Sequence, residues 1–206
     1  MSRFSGPRGK IVRRFGINIF GNRKFDKLKE KRAAGPGQHG AQQGRKKPSE
    51  YSQQLQEKQK LKFTYGLREK QFRVVFARAA RQKGVTGDNL MVQLEARLDN
   101  VVFRLGMAPT RDAARQLVTH GHIKINGRRT NIGSCAVRAN DVISVKDSVH
   151  SRNLVQRHLE ESSSREVPSW LMQDKTTLTG TVLRLPLRPE IPSIADETRV
   201  VELYSK

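Results

Sequence analysis

Apolar positions at three- and four-residue spacing run through the middle of the chain and predict a series of helices. Ser49 is placed to cap the first, with Glu50 in its opening turn. Tyr51, Leu55 and the stem of Lys58 make a weak apolar stripe that ends near Tyr65-Gly66. A stronger helix is expected over about 69–83, where Phe72, Val75, Phe76, Ala79 and Ala80 share a face and Gly84 follows as a stop. Asp88 then caps one helix carrying Leu90, Met91, Leu94, Leu98, Val101, Val102 and Leu105, closed by Gly106.

The pattern shortens after Pro109. Thr110 is the predicted cap of a short helix with Asp112 in its first turn. Ala113, Ala114, Leu117 and Val118 face inward, Arg111 and Arg115 outward, and Gly121 ends the helix. Ile123 and Ile125 alternate with His122 and Lys124, as in a half-buried strand. Asn126-Gly127 is a strong hairpin signal. Asn140-Asp141 marks another turn, after which Val142, Ile143 and Val145 close a small sheet. A polar helix over 148–166 is carried by Leu154, Val155 and Leu159. Beyond it, Pro168, Pro186, Pro189 and Pro192 imply short strands and loops.

Residues 1–48 lack such periodicity. Gly6, Gly9, Gly16, Gly21, Gly35, Gly37, Gly40 and Gly44 interrupt regular structure, while Phe4, Phe15, Phe20 and Phe25 are spread among cations. An irregular basic arm is expected that becomes ordered on its partner, each ring packing locally or stacking on a base. The plainer alternative is a disordered basic tail. The fold class is therefore α+β: an irregular N-terminal arm, a helical domain, and an inserted small α/β module with a short sheet.

Charge changes the picture most. The formal net charge is +21, from 40 Lys and Arg against 19 Asp and Glu. Such imbalance adds nothing to fold stability and implies a polyanionic partner, nucleic acid first and an anionic membrane second. Residues 1–50 carry 14 cations and 3 acids, residues 51–150 carry 18 and 8, and residues 151–206 carry 8 of each. The partner is thus expected to meet the first three quarters and to leave the last for packing.

Catalytic and metal chemistry find little support. Cys135 is the single cysteine, which excludes an intrachain disulfide and a multi-cysteine zinc ribbon and suggests a small buried apolar side chain. No run of about 18 apolar residues could span a membrane, and the N-terminus lacks a signal-peptide core, so a soluble cytosolic protein is expected. Gly35-Pro36-Gly37-Gln38-His39-Gly40 matches G-x-G-x-x-G, with Glu57 downstream, but neither a strand nor a helix flanks it. A compact turn whose bare backbone can approach a phosphate is the better reading. His120 and His122 lack a clear third metal ligand and read as RNA-facing. Glu160-Glu161 and Asp196-Glu197 read as solvated faces.

What remains is electrostatic. Arg97, Arg104, Arg111, Arg115, His122, Lys124, Arg128 and Arg129 gather on one small unit beside the Asn126 turn. Such a surface can straddle phosphates or the shallow groove of A-form RNA and read shape rather than sequence. A generic solvated basic face is the alternative.

These residues also carry a resemblance. Arg97-Leu98-Asp99-Asn100-Val101-Val102-Phe103-Arg104-Leu105-Gly106, then Thr110-Arg111 with Ala114-Arg115-Gln116-Leu117-Val118, and Ile125-Asn126-Gly127, resemble the bacterial small-subunit ribosomal proteins of the S-four family. Gly35 to Gly40 before Ala41 is similar to that family's turn, with Gly35 where Ala is common. The stretch 68–80, Pro168-Ser169-Trp170-Leu171 and the terminal Val201-Glu202-Leu203-Tyr204-Ser205-Lys206 resemble its other signatures. The likeness covers essentially the whole chain.

The resemblance implies a structural, non-enzymatic protein of the small ribosomal subunit, cytoplasmic or organellar. It would bind 16S ribosomal RNA directly and early, at a multi-helix junction of the 5′ domain. It would nucleate assembly of the subunit body and contribute to translational accuracy. Its neighbours would be the fifth and twelfth small-subunit proteins and messenger RNA near its entry path. The implied RNA contacts are Arg111, Arg115, His122, Lys124, Asn126, Arg128 and Arg129, with Arg97 and Arg104 beside them. The arm would add Arg3, Arg8, Arg13, Arg14, Arg45, Lys46 and Lys47. Many members bind zinc through N-terminal cysteines; residues 1–134 contain none here, so no zinc and no cofactor are expected. The implied division is an arm over 1–48, a helical domain over 49–96 completed by 167–206, and the RNA-binding module over 97–160.

Two other classes use such a module. An RNA-modifying enzyme would need an added catalytic domain, for which the neutral, proline-rich residues beyond Val145 leave no room. A stress-related RNA-binding module would not need the matched arm and C-terminal signature.

Overall fold

The computed structural model describes residues 4, 6–40, 47–162, 165–192 and 194–205. They hold nine α-helices and five short strands, in two compact units. One unit comprises residues 1–87 and 193–206, the other residues 88–192.

The first unit begins with structure where an irregular arm was expected. Helix α1 (Arg8–Phe15) and helix α2 (Arg23–Lys31) are both regular. Of the glycines that suggested irregular structure, Gly9 lies within α1, Gly16 ends α1 in the left-handed conformation at φ 67°, and Gly21 takes the same angle in the turn before α2. Asn22 caps α2 by accepting from the Lys24 amide at 2.9 Å. Ile11, Val12 and Ile19 are buried. The phenyl rings are packed rather than held open for bases. Phe4 meets Phe63 edge-on at 5.0 Å, and Phe20 lies 5.5 Å from Phe25.

Helix α3 (Glu50–Thr64) starts at the expected cap, Ser49 accepting from the Ser52 amide at 3.3 Å. Its buried stripe differs from expectation. Gln54, Lys58 and Leu61 point inward, while Tyr51 is 59% exposed. The polar members are tolerated because they are partnered: Gln54 donates to Glu202 at 3.0 Å and Lys58 to Glu69 at 2.8 Å. Glu69 opens α4 (Glu69–Arg81), and the short α9 (Glu197–Tyr204) packs along α3. Tyr204 stacks near Phe72 and Phe76 and donates its hydroxyl to Glu69 at 2.9 Å.

The second unit corrects the single long helix expected from Asp88 to Leu105. Helix α5 (Thr86–Glu95) has Asp88 in its first turn rather than as a cap, and α6 (Leu98–Arg104) is separate. Between them Arg97 is extended, at ψ 137°, and bridges to Ala136. The Asn100 side chain then reaches back to the Glu95 carbonyl at 3.1 Å and holds the corner. Helix α7 (Arg111–Thr119) follows its predicted cap, Thr110, which accepts from the Ala113 amide at 3.2 Å.

Strands β1 (Ile123–Ile125) and β2 (Arg128–Arg129) form the predicted hairpin, with Asn126 and Gly127 at φ 49° and 78°. Two positive φ angles define the tight turn that matches strand twist. Beside β1 lies β3 (Val142–Val145), with Ile123 opposite Val145. Helix α8 (Val149–Glu161) crosses to β4 (Leu171–Asp174) and β5 (Thr179–Val182). The antiparallel sheet has the order β2-β1-β3-β5-β4.

That order revises the assignment of residues 167–206 to the helical domain. β4 and β5 extend the module's own sheet, Trp170 is buried in the module's core, and only α9 joins α3. The same core takes Leu98, Val101, Leu105, Leu117, Val118, Ile123, Ile143 and Val155. Cys135 is half-buried against it, not fully enclosed.

Candidate nucleic-acid interface

The module's arginines fall into two groups. Asp99, in the first turn of α6, is 4% exposed. Arg97 forks onto it, with Nε at 3.1 Å from Oδ1 and Nη2 at 2.8 Å from Oδ2. Arg115 reaches the same Oδ2 from α7, through Nε at 2.8 Å and Nη2 at 2.7 Å. Glu95, 1% exposed, accepts from Arg104 Nε at 2.9 Å and Nη2 at 2.7 Å, and from the Asn100 amide at 2.7 Å. Arg111 donates to Asn100 Oδ1 at 2.8 Å and lies over the Phe103 ring at 4.4 Å. Arg165 covers the same ring at 4.0 Å and donates to the carbonyls of Phe103, Ala108 and Pro109.

These contacts correct the expected outward face. Arg97 is buried, and Arg104, Arg111 and Arg115 are spent on internal acceptors. A guanidinium held by a buried carboxylate fixes helix against helix, because either charge alone would be costly to bury. Asn126 is also used internally: its amide donates to Asp141 at 2.9 Å and its oxygen accepts from the Val142 amide at 2.8 Å. It ties the hairpin turn to β3.

The open charge lies elsewhere on the module. Arg128 and Arg129 form the edge strand β2 and are both exposed. Lys124 stands across from Arg129 and shares Asp147 with Arg152, at 3.3 and 2.8 Å. His122 is half-buried just before β1. Arg138, Lys146, Arg152 and Arg157 are exposed too and were missed by sequence reasoning, which followed the resemblance rather than the surface.

In the first unit, Arg8 sits over the Phe20 ring at 5.3 Å, and Arg14 and Lys47 are exposed. Arg13 donates to the carbonyls of Ala34 at 2.9 Å and Gly35 at 2.8 Å, fixing the entry to the glycine turn. Within that turn the Gly40 amide donates to Gly37 at 3.1 Å, and a Cβ on Gly40 would collide with the Gly35 carbonyl. Arg3, Arg45 and Lys46 lie outside the described residues. Helix α2 adds a group absent from the expected set: Arg23, Lys24, Lys27, Lys29 and Lys31 are all exposed. The cation density of 23–32 was the available signal; its helical presentation was not recognised.

No group of three or more His, Cys, Asp or Glu among the described residues is placed to hold a metal ion. The arm contains no cysteine, and its described residues are held by packing of the rings and by the Arg13 clamp. No described helix is long and apolar enough to cross a membrane.

Comparison with known proteins places this surface in context. The model of the ribosomal protein S4/S9 N-terminal domain matches residues 3–95, and that of the S4 domain matches residues 96–143. The chain is 51% identical over 206 residues to the small ribosomal subunit protein uS4 of Akkermansia muciniphila, covering all of both chains. This chain belongs to the uS4 family. It is likewise 49% identical over 207 residues to uS4 of Borrelia recurrentis, across 100% of this chain and 99% of that one. It is 50% identical over 206 residues to uS4 of Porphyromonas gingivalis, with full coverage of both. As a uS4 protein it is a structural component of the small ribosomal subunit in the bacterial cytoplasm, not an enzyme, and it carries an S4 RNA-binding domain.

Proposed function

We propose that this uS4 protein binds 16S ribosomal RNA directly and early, at a multi-helix junction of the 5′ domain, and nucleates assembly of the subunit body. The observation that carries the reading is the exposed cationic edge of an S4 domain, Arg128 and Arg129 with Lys124 and His122 beside them. Exposed arginines on a rigid strand can bridge phosphates at little folding cost: Arg129 has only a long 3.4 Å bond to the His120 carbonyl to give up, and neither is tied to a buried carboxylate. Arg8, Arg14, Lys47 and the cations of α2 form a second set of contacts on the other unit. Arg13, Arg97, Arg104, Arg111, Arg115 and Asn126 act at one remove, holding the elements that present these groups. Contacts with the fifth and twelfth small-subunit proteins, and a place near the messenger entry path, would connect the protein to translational accuracy.

Crosslinking the protein in cell extract and sequencing the bound RNA tests this. Reads concentrated in the 5′ domain of small-subunit RNA are expected. Scattered or transfer-RNA reads would contradict it.

A further inference from the structure

Three histidines meet at one corner of the second unit. His120 is the C-cap of α7, His122 precedes β1, and His150 lies in the first turn of α8. The His122 ring is central, 6.2 Å from His120 and 6.5 Å from His150 between centroids. Its orientation is fixed, because Nδ1 lies 2.9 Å from the hydroxyl of the buried Ser151. When the ring is protonated, Nδ1–H donates to Ser151 and Nε2–H remains for an acceptor outside the protein.

The surroundings are all of one sign. Arg129 from β2 packs directly over Gly121 and donates to the His120 carbonyl at 3.4 Å. Lys146 follows β3 and is exposed. The first turn of α8 contains no acid and Ser148 makes no side-chain cap, so the positive helix end adds to the same field. The nearest acid in sequence, Asp147, is engaged by Lys124 and Arg152. Burial, then His120, His150, Lys146 and Arg129, hold the His122 imidazole below its ordinary value.

We propose that the corner of His120, His122, His150, Arg129 and Lys146 seats a phosphodiester of the bound RNA and takes up protons as it does so. This rests on the RNA-binding reading above and adds a pH dependence to it. A phosphate beside His122 favours the imidazolium, so its proton affinity rises on binding. Affinity is therefore greatest below the free-state value of His122. It falls as pH rises through the window between the free and bound values.

The test is the affinity of the full-length protein for a 5′-domain fragment of 16S RNA, at fixed salt, between about pH 6 and about pH 8. The dissociation constant is expected to rise with pH, by up to roughly tenfold per pH unit for one linked proton. His120→Gln with His150→Gln alters only exposed side chains, removes two of the charges that lower His122, and should move that slope to higher pH. His122→Gln should abolish it; if that variant fails to fold, the exposed pair decides. Inorganic phosphate at the same concentrations should leave the His122 ring NMR signal unmoved, and a matching response would overturn assignment to the RNA backbone. Tight RNA binding without a pH slope, or an unchanged slope in the variants, would overturn the seat alone. No RNA binding at any pH would overturn the seat and the RNA reading together.

Discussion

Arg115 and Arg128 belong to the same small module, and the fold uses them in opposite ways. Arg115 spends two N–H groups on the buried Asp99, while Arg128 stands exposed on an edge strand. The difference lies in the partner, not the cation. Where a buried carboxylate sits opposite, the guanidinium becomes part of the core's polar frame. Where none does, its charge is available to an external polyanion. A count of basic residues on such a domain therefore overstates the charge left open to a polyanion, because part of it holds the domain together.

The sharpest break in this contrast is removal of the shared acid. Asp99→Ala would leave Arg97 buried without that carboxylate and take two hydrogen bonds from Arg115, at a cost of about 3–5 kcal/mol, read by chemical denaturation. A loss below about 1 kcal/mol would mean the frame is not built around Asp99. Arg115→Ala is expected to cost less, about 2–3 kcal/mol, since Asp99 keeps Arg97. Its folded fraction should bind RNA almost as tightly as the unaltered chain. The paired replacement Arg128→Ala and Arg129→Ala should do the reverse. Stability should change by no more than about 0.5 kcal/mol. RNA affinity should fall by about 1 kcal/mol for each lost phosphate contact, and the salt slope by about one for each.

The smallest effect concerns the first unit. Burial alone would raise the Glu69 carboxyl, but hydrogen bonds from Lys58 and Tyr204 and the charge of Lys58 outweigh it and hold it below its ordinary value. Its stabilising contribution is thus complete above the ordinary carboxylate range and lost as pH falls through the lower folded value. Acid titration of the unaltered chain against Glu69→Gln should show a shallower acid loss in the variant. Identical curves would remove Glu69 from the account of how α9 is held.

Local signals were the legible ones. The Thr110 and Ser49 caps, the Asn126-Gly127 turn and the strand at Ile123–Ile125 each need only neighbouring residues, and each is found in the fold. Features set by distant partners were not legible. The break at Ala96-Arg97 depends on Ala136, Gly133 and Cys135, which draw that segment out of helix. Short strands were expected beyond Pro168, but the joining of β4 and β5 to the module's sheet was not, because it depends on the edge that β3 offers. Helices α1 and α2 were hidden because Gly16 and Gly21 read as interruptions of structure when one ends α1 and the other turns the chain before α2. The division between open and internally paired charge was half legible for the same reason. Arg128 and Arg129 follow from their place after the turn, but the pairing of Arg115 with Asp99 spans 16 residues and leaves no mark in periodicity.

The division of the module's arginines is tested most directly by crosslinking the protein to 16S RNA and identifying the crosslinked residues by mass spectrometry. The account predicts crosslinks at β2 and in the first unit at α2, with none at Arg97 or Arg115. Crosslinks concentrated on α6 and α7, with β2 silent, would contradict it.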